Sequence, residues 1–171
     1  FPGVVALDGV TFDIAEGSCH ALCGENGAGK STLGKLLAGI YAPDEGRVLI
    51  NGTPVRFTTP TDALKSGVAM VHQELSFCEN LSVAENLCLG NLPSKRGFVS
   101  KREMRRRAEE MLAPIDVALD VTRPVGALTI GQQQMLQIAS AIGQGARLIV
   151  FDEPTSSLSQ HEAERLYTII G

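Results

Sequence analysis

The residues Gly24-Glu25-Asn26-Gly27-Ala28-Gly29-Lys30-Ser31-Thr32 contain the full pattern G-x-x-x-x-G-K-[ST]. The chemistry this spacing serves is phosphate binding. The glycines let the backbone curl so that successive N–H groups converge on phosphate oxygens, Lys30 brings a cation to the β and γ phosphates, and the Ser31 hydroxyl is a ligand for Mg²⁺. The ligand class is a nucleoside triphosphate. A second cluster, Asp152-Glu153, closes the apolar run Leu148-Ile149-Val150-Phe151. Asp152 is suited to hold Mg²⁺ through water, and Glu153 to polarise an attacking water. The bland alternative is a strand that simply ends in a polar turn.

Both clusters need elements to carry them. Residues 18–23 read as a short, mostly apolar strand leading into the loop, and Leu33, Leu36, Leu37 and Ile40 follow at i, i+3, i+4, i+7, the stripe of a helix. The loop then opens a helix N-terminus, where the dipole favours phosphate. Further strands are expected at 10–14, 47–50, 55–58, 68–72 and 147–152, with Asn51-Gly52 as a hairpin signal. The last of these is apolar on both faces, as a buried parallel strand requires, and if it neighbours the strand at 18–23 its end brings Asp152 and Glu153 beside the phosphates. Ser82 with Glu85, Ser100 with Glu103 and Ser159 with Glu162 have capping-box spacing and mark three helix starts. Met104, Ala108, Met111 and Leu112 share one helix face. The stretch from about 74 to 142 is helical in pattern and reads as a subdomain inserted into an α/β core.

A length of 171 residues suits one well-buried domain, and 44% hydrophobic with 20% charged residues is the balance of a soluble globular protein. No apolar run approaches the roughly 20 residues of a membrane-spanning helix, and the first residues lack a basic-then-apolar signal pattern. A net charge of -4 argues against a nucleic-acid surface. Lys95, Arg96, Lys101, Arg102, Arg105, Arg106 and Arg107 are seven of the fifteen basic residues, and they read as a solvated helix face. Cys19, Cys23, Cys78 and Cys88 lack paired zinc-site spacing and are expected as buried free thiols, in keeping with the cytosol. His20 and His72 read as strand residues, and His161 as a helix-surface residue.

From Phe1 to the end the sequence resembles the nucleotide-binding domain of the ATP-binding cassette (ABC) ATPases. Gln73, in Val71-His72-Gln73-Glu74, resembles the family's Q-loop, whose Gln contacts Mg²⁺ and the attacking water and senses the membrane subunit. Leu128-Thr129-Ile130-Gly131-Gln132-Gln133-Gln134 resembles the LSGGQ signature, and Pro154-Thr155-Ser156-Ser157-Leu158-Ser159 the D-loop. Phe1 stands where the family has an aromatic that stacks on adenine. The resemblance implies that Thr129, Gly131 and Gln132 serve the ATP held by a partner cassette. Their bland alternative is an ordinary helix start, because Met135, Ile138, Ala139 and Ile142 follow at helical spacing. The pattern departs at Ile130, where the signature has Gly, and at Ser159, where the D-loop has Asp. Both departures are similar to ABC importers of monosaccharides such as ribose, xylose and galactose, whose ATPase subunit carries two cassettes. The intact Lys30 and the opening residues resemble the first of the two.

The implied fold is an α/β P-loop NTPase core with an antiparallel β subdomain and the inserted helical subdomain. The implied cofactors are ATP and Mg²⁺. The implied partners are a transmembrane permease subunit, a second nucleotide-binding cassette and, indirectly, a sugar-binding protein, with the cassette on the cytoplasmic face of the membrane. The family's switch histidine lies well beyond the position of Glu153, so the chain is expected to be a fragment and a weak ATPase alone. Two other outputs stay open at this point. One is a non-transport ABC ATPase acting in translation or DNA repair, and the other a regulatory cassette that binds ATP without hydrolysing it.

Overall fold

A computed structural model of the chain describes residues 3, 5–72, 76–95, 97–115, 117, 119–152 and 160–170. The helix that leaves the glycine-rich loop, α1 (Lys30–Leu37), is stopped by backbone hydrogen bonding at its C-terminus. Gly39 is left-handed at φ +71. Its N–H donates to the Leu36 carbonyl at 3.1 Å and the Ile40 N–H to the Lys35 carbonyl at 2.9 Å, the paired closure of a Schellman motif. Ile40, expected on the apolar stripe of this helix, therefore lies beyond its end and is exposed.

β1 (Val48–Ile50) and β2 (Thr53–Val55) form an antiparallel hairpin with Ile50 opposite Thr53. Asn51 and Gly52 between them have φ of 51 and 75, positive at both positions as a type I′ turn requires. The hairpin is the one read from Asn-Gly, but its second strand comes earlier than 55–58. Phe57 is instead buried with Ala63 and Val68 in a small satellite core. Next, α2 (Pro60–Lys65) starts with Thr59 accepting a hydrogen bond from the Asp62 N–H and with proline in its first turn, where a missing N–H costs nothing.

β3 (Val68–Val71) pairs in parallel with the distant β6 (Leu148–Phe151), Val68 opposite Leu148 and Val71 opposite Phe151. The apolar run before Asp152 is thus a parallel strand, as expected. Its neighbour is β3, however, and residues 18–23 form no strand. That segment, Ser-Cys-His-Ala-Leu-Cys, contains none of the β-branched or large aromatic residues that fit a pleated surface. Residues 10–14 are β-prone but pair with no ladder among the described residues, and Val10 and Phe12 are exposed. His20 accordingly lies outside any strand, and His72 is the first residue past β3.

The remaining elements are α3 (Val83–Cys88), the two-residue strands β4 (Ser94–Lys95) and β5 (Phe98–Val99), α4 (Lys101–Leu112), α5 (Ile130–Gly143) and α6 (Gln160–Ile170). Ser82 makes the full capping box at the start of α3, and its hydroxyl and N–H together hold the Glu85 carboxyl below the ordinary range. Ser100 makes half of one, accepting from the Glu103 N–H at 3.3 Å. Ser159 lies outside the described residues, although a helix does follow it. The main core joins these helices to the sheet through Val71, Val83, Leu87, Leu112, Leu136 and Ile138, with Leu166 of α6 closing it. Met104, Ala108 and Leu112 are buried on one face of α4 and Met111 packs beside them. On the opposite face Arg106 pairs with Glu103 and Glu110, a solvated ion-pair surface as read from the sequence. The cysteine expectation is corrected: only Cys88 is buried, because it sits on the core face of α3, whereas Cys19, Cys23 and Cys78 occupy exposed loop.

Candidate functional site

Residues 24–29 form a turn rather than an extension of either neighbour, with Ala28 N–H donating to the Glu25 carbonyl at 3.1 Å. Gly27 and Gly29 have φ of 85 and 90, and a Cβ at Gly29 would sit 2.7 Å from the Ala6 carbonyl oxygen. Only glycine satisfies both conditions there. Gly29 is also the N-cap of α1 and makes no side-chain cap. The first-turn N–H groups of Lys30, Ser31 and Thr32 are therefore free of intrahelical partners, the arrangement that receives an anion.

Lys30 closes the loop on itself. Its Nζ donates to the Gly24 carbonyl at 2.7 Å and to the Glu25 carbonyl at 2.9 Å, so the ammonium is held across the mouth of the turn. One residue on, the Ser31 Oγ donates to Asp152 Oδ1 at 3.0 Å, joining positions 121 apart in sequence. Two features make that contact possible. The Asp152 N–H donates to the Val71 carbonyl at 3.2 Å, which continues the parallel ladder one residue past β6 and fixes where the carboxylate emerges. Gly34, buried at the centre of α1, has so little room that a Cβ would lie 3.1 Å from Val150 Cγ1. The missing side chain lets α1 lie close on the sheet, and the close approach brings Ser31 to Asp152.

The donor set, a hydroxyl and a carboxylate, is all oxygen, which suits a hard cation. No group of three or more His, Cys, Asp or Glu side chains fit to hold a metal occurs among the described residues. A cation that keeps several waters and takes its other ligands from phosphate, as Mg²⁺ does, fits this pair better than one that needs a full protein cage.

The signature-like segment is placed apart from the loop. Thr129 is the N-cap of α5: its Oγ1 accepts from the Gln132 N–H at 3.2 Å, while Gln132 Oε1 accepts from the Thr129 N–H at 3.0 Å. The two polar side chains form a capping box, with Gly131 buried in the turn between them and Thr129 exposed. Among the described residues no hydrogen bond runs from 129–132 to 24–32. Gly24, Glu25, Asn26, Gly27, Ala28, Gly29, Lys30, Ser31, Thr32 and Asp152 come together. Phe1, Gln73, Glu153 and the segment 154–159 lie outside the described residues.

Asn86 was not singled out by the sequence reading. It is buried on α3, its Oδ1 accepts from the Cys78 N–H at 2.9 Å, and its Nδ2 donates to the carbonyls of Cys78, Leu81 and Ser82 at 3.0 to 3.2 Å. The available signal was an Asn at the centre of the apolar set Val83, Ala84, Leu87 and Cys88. A cavity of about 270 Å³ opens between α2, β3 and α5, lined by Ala38, Leu64, Met70, His72, Phe77 and Gln137 among others. None of its lining residues belongs to the glycine-rich loop. No helix among the described residues is long and apolar enough to cross a membrane.

Residues 7–156 match the model of the ABC transporter family. The chain is 52% identical over 170 residues to the arabinose import ATP-binding protein AraG of Paraburkholderia xenovorans, covering 99% of this chain and 33% of that protein. It is 50% identical over the same length to a putative ribose/galactose/methyl galactoside import ATP-binding protein of Burkholderia ambifaria. The chain thus spans about a third of the length of these relatives. Among solved structures it resembles the ADP conformation of MJ1267, an ATP-binding cassette of an ABC transporter, with a TM-score of 0.81 and 26% identity over 96% of this chain and 69% of that one. The post-hydrolysis dimer of the cassette MJ0796 bound to ADP and Pi gives a TM-score of 0.75 at 27% identity, covering 96% of this chain and 73% of that one. A glycine-rich turn at a helix N-terminus, a lysine folded over it and a strand-end aspartate on its serine are therefore the parts of a P-loop NTPase cassette, and the chain belongs to the ABC transporter family.

Proposed function

We propose that this chain binds Mg-ATP and that the protein carrying it hydrolyses ATP to energise import of a monosaccharide through a membrane permease. The observation that carries the reading is the Ser31 to Asp152 hydrogen bond beside the unpartnered N–H groups of α1. The loop N–H groups and Lys30 take the charge of the β and γ phosphates, and Ser31 and Asp152 hold the metal. Bound Mg²⁺ would supply charge neutralisation between the phosphates. Glu153 acts as base toward the attacking water, Gln73 positions that water and reaches the metal, and Phe1 stacks on adenine. Thr129, Gly131 and Gln132 complete the site of a second cassette, in keeping with the dimeric form of MJ0796. Residues from about 74 to 142 make up the helical subdomain, residues 75–92 within it dock the permease, and the cassette sits at the cytoplasmic face of the membrane, with a sugar-binding protein as an indirect partner. The relatives named for arabinose and for ribose or galactose import support a pentose or hexose as cargo.

The test is Glu153→Gln in the full-length protein. ATP binding should persist while turnover falls by about 10² to 10⁴, the range for loss of a general base. Wild-type turnover in that variant would place the base elsewhere.

A further inference from the structure

We infer that Gln137 of α5 is a positioning residue that yokes this helix to the chain at His72, the residue before Gln73. The Gln137 amide meets both backbone groups of His72: oriented to its surroundings, the nitrogen donates to the His72 carbonyl at 3.1 Å and the oxygen accepts from the His72 N–H at 3.3 Å. The reverse orientation sets oxygen against oxygen and donor against donor, so the network fixes the assignment. One primary amide thus does for His72 what a neighbouring strand does for Val71. The β3–β6 ladder ends at the bond from Asp152 N–H to the Val71 carbonyl, and Gln137 takes over one residue later.

Past Val71 the core opens into a cavity. His72, Phe77 and Gln137 all line the cavity of about 270 Å³, so the hydrogen bonds restrain the backbone where side-chain contact is incomplete. A second amide holds the far side: Asn86 of α3 grips Cys78 through its N–H and carbonyl at 2.9 and 3.0 Å. His72 and Cys78 are thus each gripped on both backbone groups by a side-chain amide, one from α5 and one from α3. Gln137 lies two turns along α5 from the Thr129 cap, on the same rigid rod. A displacement of the 129–132 end is therefore passed to the His72 backbone by the two hydrogen bonds of Gln137. The inference rests on the ATPase reading above, in which Gln73 positions water.

The experiment measures two variants in the full-length protein, Gln137→Met, which keeps length and bulk and removes both hydrogen bonds, and Gln137→Glu, which keeps the acceptor for the His72 N–H. Turnover at saturating ATP should fall roughly 10- to 100-fold in Gln137→Met, the scale of a misplaced reacting group, with ATP affinity within about twofold of wild type. Gln137→Glu should fall between the two. Hydrogen exchange at the His72 amide should speed up in Gln137→Met while exchange in the α4 interior is unchanged. Unaltered turnover with only a lowered melting temperature would overturn the inference and leave Gln137 a packing residue. A wild-type protein with no turnover would overturn the ATPase reading instead, and the exchange arm still decides: an unprotected His72 amide in the wild type removes the clamp itself.

Discussion

The helical core and the glycine-rich loop are held in place by opposite means. Around α5 the fold relies on burial: Leu136 and Ile138 are 0% exposed and touch side chains from several helices and the sheet. From position 5 to 28, by contrast, no described residue is buried, and the loop is shaped by positive-φ glycines and a handful of polar bonds. The core resists change because its free energy is spread over many dispersion contacts and a large apolar area. The loop concentrates its chemistry in a few atoms whose loss need not disturb the fold. Stability and ligand affinity should therefore respond to different mutations, with α1 as the element where the two overlap.

The sharpest way to test that division is to cut the core. Leu136→Ala should destabilise by about 2 to 5 kcal/mol in urea unfolding, from lost transfer energy and the cavity left behind. The folded fraction should keep its nucleotide affinity. If affinity falls in step with stability, the two regions are not separable. The converse is Lys30→Ala, expected to weaken nucleotide binding by about 1.5 to 3 kcal/mol in calorimetry while the urea midpoint stays put. A midpoint shift would mean that the Lys30 bonds to the Gly24 and Glu25 carbonyls also carry the fold.

Gly34→Val tests the overlap. Overpacking against Val150 should cost about 1 to 3 kcal/mol of stability and, by lifting α1 from the sheet, part the Ser31 and Asp152 oxygens. Nucleotide affinity should then lose its Mg²⁺ dependence, which calorimetry with and without the metal reads directly. A variant that is less stable yet binds Mg-nucleotide normally would show that the close approach serves packing alone.

The smallest effect concerns the solvated face of α4. Hydrogen bonding to the Arg106 guanidinium, with Arg107 adding its charge, lowers the Glu103 carboxyl from an ordinary 4.5 to about 2. Because the folded value is the depressed one, the contribution is complete above about pH 4.5 and is lost as pH falls through about 2. An NMR titration of Glu103 should show the low midpoint, returning to the ordinary range in Arg106→Ala. Global unfolding should barely register the change, since exposed pairs contribute little.

The loop, the Asn-Gly hairpin, the α3 cap and the apolar face of α4 were all legible because each is a local pattern whose physics closes within a few residues. What escaped was long-range. Residues 18–23 looked apolar enough for a strand, but hydropathy alone does not supply a ladder partner, and that run lacks β-formers. β6 was legible as a parallel strand from its apolar run, yet its neighbour was not, since the sequence does not say which ladder a strand joins. The residue types of Ser31 and Asp152 suit one cation, but the device that brings them together, a side chain missing at Gly34, is visible only once α1 lies on Val150. Gln137 and Asn86 are not legible in the sequence because a lone amide on an apolar helix carries no motif, and their meaning comes from backbone they meet only after folding.

The span between Ser31 and Asp152 also has a consequence in time. During synthesis the glycine-rich loop leaves the ribosome 121 residues before the carboxylate that will meet it, which at about 5 to 20 residues per second is roughly 6 to 24 s. Over that interval α1 can form but has no β6 to lie on, and the small β1–β2 hairpin, closed by two residues, is complete long before. The nascent chain thus has its glycine-rich turn well before its Ser31–Asp152 pair. A cell making this protein carries, on each ribosome, a half-built nucleotide site that waits for the strand that leads into Asp152.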